Sequence, residues 1–103
     1  AVIVGGAAVG QPEMVRMEAL RALVNLAHSE ENMVAMCQND EVRAVLLGGA
    51  AVGQPEMVRV EALKVLCNLA RAAENKVAMW LNDEVRAALM GGAAVGQPEI
   101  GRV

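Results

Sequence analysis

Apolar and polar residues alternate along this chain with the period of a helix. In QPEMVRVEALKVLCNLA, residues 54–70, the positions Val58, Ala62, Val65, Leu66 and Leu69 recur at spacings of three and four. That spacing predicts an amphipathic helix over about residues 55–70, with a counterpart over 12–27. Pro55 suits the first helical position, where its missing N–H is no loss, and Glu56 beside it favours the positive end of the helix dipole. A shorter helix follows in ENKVAMWL, residues 74–81, where Val77, Trp80 and Leu81 form an i, i+3, i+4 stripe. The next break is NDE, with Asn82 or Asp83 as N-cap, and DEVRAALM opens a further helix.

These elements recur. The phrase GGAAVGQPE stands at residues 5–13, 48–56 and 91–99, a fixed step of 43. Setting Gly5–Leu47 against Gly48–Met90 needs no gap and leaves 31 of 43 positions identical. Residues 1–4, AVIV, match AVLL at 44–47 and read as the tail of a preceding unit, while 91–103 restarts the unit. A period near 40 with helical patterning predicts a solenoid, in which each unit covers the apolar face of the next. The chain starts within a unit and without an initiator Met, so a piece of a longer array or an engineered chain is expected. The near-identity of the units points to either recent tandem duplication or consensus design.

The Gly-rich phrase is not a phosphate cradle. It has no preceding strand, no G-x-G-x-x-G spacing and no following Lys-Ser or Lys-Thr. Two structural readings are open. In one, the middle helix stops at Gly48 and the rest is loop. In the other, it runs through GGAAV, with Gly53 as the left-handed stop, Gln54 as the cap and Pro55 opening the next helix. The second costs about 1 kcal/mol per glycine against Ala. It keeps a stripe of Val42, Val45, Leu46, Gly49 and Val52, makes the Gly48–Gly49 pair a notch for a close neighbour, and is the one adopted here, with Gly10, Gly53 and Gly96 as the stops.

Composition narrows the class. Of 103 residues, 55% are apolar, yet the only aromatic is Trp80. A core built from Ala, Val, Leu and Met favours helices, so the chain is read as all-α. The net charge of −3 supplies no basic field for nucleic acid or an anionic membrane, and no apolar run reaches spanning length. No stretch reads as a signal peptide. Cys37 and Cys67 have no motif spacing, which suits a reducing, intracellular setting, cytoplasmic or nuclear.

The order of short, middle and long helix resembles the armadillo repeat. The resemblance is carried by ENMVAM at 31–36 and ENKVAM at 74–79, by DEVRA at 83–87, and by EALRALVNLA at 18–27 and EALKVLCNLA at 61–70. It covers essentially the whole chain, and the Asn-Leu-Ala ending is seldom found in the related HEAT repeats. Two departures stand out: Asp40 or Asp83 replaces the usual Gly between the first two helices, and the Gly pair falls near the usual late Leu-Leu. The resemblance implies a right-handed α-α superhelix of 43-residue, three-helix repeats whose long helices line a concave groove for an extended peptide. The groove asparagine would be Asn25 and Asn68.

Helical spacing puts Glu18, Arg21, Asn25 and His28 on one face, with Glu61, Lys64, Asn68 and Arg71 on the equivalent face. All eight lie opposite the Val/Leu stripe, which predicts exposure. Importin-α-like members carry Trp four residues before the groove Asn, where this chain has Arg21 and Lys64. An aromatic clamp for basic peptides is therefore absent, and acidic ligands are expected, as in β-catenin-like grooves. His28, Cys37 and Cys67 lack metal-ligand spacing and read the thiols as buried or partly buried. Ser29, the only Ser, has no recognisable base partner. The recurring carboxylates, Glu13 with Glu56 and Asp40 with Asp83, read as caps and surface. Trp80 stands where Cys37 does one unit earlier and is expected to pack at a repeat junction. The resulting expectation is a non-enzymatic scaffold for protein or peptide, with no cofactor, metal, nucleic acid or membrane. The alternative is a structural module whose open apolar ends associate head to tail.

Overall fold

The local signals read above close into seven helices in a computed structural model that describes residues 2–93. They are α1 (Val2–Gly6), α2 (Glu13–Leu26), α3 (Glu30–Gln38), α4 (Asp40–Ala50), α5 (Glu56–Leu69), α6 (Ala73–Leu81) and α7 (Asp83–Ala93). Among the described residues there is no strand. The radius of gyration of 12.4 Å matches the roughly 13 Å of a compact domain near 100 residues.

Three of the helix starts are capped by a side chain. Ser29 Oγ accepts from Asn32 N at 3.1 Å and opens α3. Asn39 Oδ1 accepts from Val42 N at 3.0 Å and opens α4. Asn82, rather than Asp83, caps α7, accepting from Glu84 N at 2.9 Å and Val85 N at 3.1 Å. Each of these bonds satisfies a donor that the first helical turn leaves without a partner. The long helices sit one residue inside both expected ends. Pro12 and Pro55 therefore occupy the N-cap, with ψ near 140° (143° and 139°), outside the helix rather than in its first position.

The Gly pair lies inside α4, as the notch reading expects, but the rest of that reading needs correction. α4 ends at Ala50, three residues before Gly53, and Val52 is exposed beyond the helix. The stripe therefore closes at Gly49. Gly53 and Gly10 do take left-handed backbone, φ +100° and +103°, but in the turn that follows rather than at the helix end. Gly96 lies outside the described residues. Gly49 is the close-packing site: a Cβ there would stand 3.2 Å from Ala62 Cβ and 3.6 Å from Val58 Cγ1 on α5.

α5 is the hub. It packs along α2, against α4 and onto α3, while α3 pairs with α4 and α6 with α7. Contacts also join α1 to α4, α3 to α6 and α4 to α7. Helices whose starts lie 43 residues apart, α2 with α5, α3 with α6 and α4 with α7, are thus neighbours in space. The centre is fully buried Leu20, Leu46, Val58, Val65 and Leu69. These come from three different helices, so none of the long helices could hide its apolar stripe alone. Arg16, also buried, reaches from α2 to the α4–α5 turn, where Nη1 donates to Gln54 Oε1 at 2.8 Å.

The α6 stripe is a second correction. Val77, Trp80 and Leu81 are exposed, and the buried face of α6 is Asn75 and Met79. Among the described residues Trp80 packs at no repeat junction; Arg86 lies over its ring, 5.6 Å from the centroid.

Candidate functional site

α2 and α5 run side by side, and their polar residues meet at the seam. Arg21 Nη1 lies 2.8 Å from Glu18 Oε1 on its own helix, and Arg21 Nε lies 3.7 Å from Glu61 Oε2 on α5. Lys64 Nζ approaches the same Glu61 oxygen at 3.5 Å. The result is a chain of alternating charge across two helices, Glu18, Arg21, Glu61, Lys64. Its central member departs from expectation: the Glu61 side chain is only 5% exposed. Packing α5 against α2 carries Glu61 into the seam, and a carboxylate removed from water persists there because two cations flank it.

The two asparagines also part company. Asn68 is half-buried and its Nδ2 donates to Val24 O at 3.1 Å, so one amide hydrogen is used to tie α5 to α2. Asn25 is exposed and its side chain has no hydrogen-bond partner among the described residues. His28 is exposed, with Nδ1 2.9 Å from Asn25 O. Arg71 is exposed and makes no ion pair among the described residues. Of the eight residues expected on this face, Glu18, Asn25, Lys64, His28 and Arg71 are therefore open to solvent, Arg21 and Asn68 are half-covered, and Glu61 is buried.

A cavity of about 120 Å³ lies among α3, α4, α5, α6 and the start of α7. Leu46, Leu66, Leu69, Met79 and Val85 supply its apolar lining, and Cys37 and Arg43 stand at its edge. Burial pushes the Cys37 thiol above its ordinary pKa, and the Arg43 guanidinium opposes that shift in part. Arg43 is held by Asp40 on its own helix. Cys67, on α5, is exposed, against the expectation of a covered thiol.

Sequence reading missed Asn75. Its Nδ2 donates to Met33 O at 2.9 Å and Leu69 O at 2.8 Å, which joins α6 to the ends of α5 and to α3. Its recurrence with Asn32 was visible, but recurrence alone does not separate a strut from a surface amide.

No group of three His, Cys, Asp or Glu side chains among the described residues is placed to hold a metal ion. No helix among them is long and apolar enough to cross a membrane. No protein-family model, no curated protein and no solved structure matches the chain.

Proposed function

We propose that this chain is a segment of an armadillo-like, right-handed α-α superhelix of 43-residue, three-helix repeats, serving as a non-enzymatic scaffold for an extended peptide. The contacts between helices spaced 43 residues apart support the solenoid reading, because a solenoid requires each helix to touch its own counterpart. The observation that carries the binding reading is the polar face of α2 and α5. There a mutually paired charge chain around the buried Glu61 is flanked by the unused amide of Asn25 and the solvent-facing cation of Arg71.

An extended peptide has no internal partners for its backbone. Asn25 offers both a donor and an acceptor, and Asn68 retains its side-chain oxygen. Lys64 and Arg21 are largely neutralised by Glu61 and Glu18, so they contribute little net attraction. Arg71 and His28 mark the ends of the two long helices, where a carboxylate side chain of the peptide would find a donor. The peptide favoured by this face is extended and acidic.

Fluorescence anisotropy with labelled acidic, neutral and basic peptides of equal length tests this. Acidic peptides bind best, Asn25→Ala weakens them by roughly 3- to 10-fold, as loss of one hydrogen bond requires, and Arg71→Glu removes the acidic preference. Acidic peptides doing no better than basic ones would overturn the ligand class, and absence of binding to all three would overturn the scaffold.

A further inference from the structure

We propose that the cavity beside Cys37 is a binding site for a small neutral ring carrying one hydrogen-bond donor, a molecule of the phenol class. The space is about 120 Å³, close to the roughly 150 Å³ of an apolar protein cavity that takes up benzene. It therefore suits a single six-membered ring rather than a fused pair. Its inner wall is apolar, because Leu46, Leu66, Leu69, Met79 and Val85 are all buried. A ring seated there exchanges water for side-chain contact, which is the main source of affinity in a site of this kind.

The polar feature of the inner wall is Asn75, which is 2% exposed. Its Nδ2 uses both hydrogens, one on Met33 O at 2.9 Å and one on Leu69 O at 2.8 Å. The amide oxygen has two acceptor positions, and among the described residues no donor reaches Oδ1. That oxygen is not sealed off, unlike Nε and Nη2 of Arg16, which are buried without a partner. Oδ1 is thus an acceptor within reach of a molecule in the cavity. A buried acceptor with no donor is unfavourable, and a ligand O–H that meets it removes that penalty.

The surrounding charges favour a neutral ligand. Burial raises the pKa of the Cys37 thiol and keeps it protonated at neutral pH, so the inner wall carries no charge. Arg43 and Glu74 border the cavity with opposite signs. Arg43 is engaged by Asp40, and its Nη1 donates to Cys37 O at 3.4 Å. A carboxylate ligand would face Glu74 and an ammonium would face Arg43, whereas a neutral ring avoids both conflicts. Gln38 and Glu74 are exposed, which makes this polar rim the side of entry.

Methyl-region proton–carbon NMR of the 103-residue chain, titrated with phenol, benzene and benzoate, gives the test. Phenol is expected to shift the Leu46, Leu66, Met79 and Val85 methyl signals saturably. It binds at least about 3-fold more tightly than benzene, the gain of one hydrogen bond, and at least about 10-fold more tightly than benzoate, whose charge resists burial. Cys37→Phe puts a ring into the cavity from its own wall and abolishes the shifts. Ala78→Leu, at an exposed lining position where the fold tolerates a larger side chain, weakens phenol at least about 5-fold, because ligand and side chain cannot share the space. Absence of saturable shifts at these methyls, or phenol binding unchanged by Ala78→Leu, would overturn the site. Benzene or benzoate binding as tightly as phenol would overturn the donor-bearing neutral ring as its ligand.

Discussion

At the scale of single residues, adjacent glycines in α4 do opposite jobs. Gly48 faces the exposed Val9, whose Cγ2 would be 3.1 Å from an added Cβ and can swing away. Gly49 faces Ala62 Cβ at 3.2 Å, and that atom moves only if α5 moves. Gly48→Ala is expected to be neutral or to stabilise by up to about 1 kcal/mol, the helix propensity gained. Gly49→Ala gains the same propensity but forces α4 and α5 apart, for a net loss of about 1–2 kcal/mol. Urea midpoints of the two variants check the contrast; equal midpoints would mean that Gly49 is not a packing notch. Glu61 makes the same point for charge. Its type and helical position resemble those of Glu18, yet one is buried between cations and the other faces water.

At the scale of helices, α3 and α6 differ by what lies beside them. Asn75 ties α6 to two buried carbonyls, so Asn75→Ala removes both bonds and is expected to cost about 1–3 kcal/mol. Asn32→Ala removes one exposed bond within its own unit, with an expected cost under about 1 kcal/mol. Thermal unfolding of the pair measures the difference. Cys37 and Cys67 form a second contrast. The Cys37 thiol is buried with a raised pKa, while Cys67 on α5 is exposed. Iodoacetamide is expected to modify Cys67 first, with Cys37 protected until the helices open. The raised pKa also has a linkage consequence. Stability from the protonated Cys37 is fully present below the ordinary thiol range and is lost as pH rises through the folded-state value.

At the scale of the molecule, α5 joins the two halves, because it contacts α2, α3 and α4 at once. Neither half can open without exposing Leu20, Leu46 or Leu69, all fully buried. One cooperative transition is therefore expected in urea, with loss of helical circular dichroism and exposure of Cys37 to alkylation coinciding. Separate midpoints for the two signals would show that the halves unfold independently, as nearest-neighbour models allow for longer arrays.

The helices, their approximate bounds and their repetition were legible in the sequence because they depend on local spacing and on identity between segments. Val58, Ala62, Val65, Leu66 and Leu69 are all buried on α5 as their spacing required. The polar face of α2 was legible for the same reason. What the sequence could not carry is which copy of a repeated residue lies inside. Asn32 and Asn75, Glu18 and Glu61, and Leu46 and Leu89 are chemically the same and occupy the same local positions, yet one of each pair is covered and the other is open. Burial there is set by the neighbouring helix, α5 on α2, α6 on α3 and α7 on α4, and not by the residue's own segment. Periodicity along one helix determined where the apolar stripe runs; only the packing of one helix on its counterpart decided which side chains it removed from water.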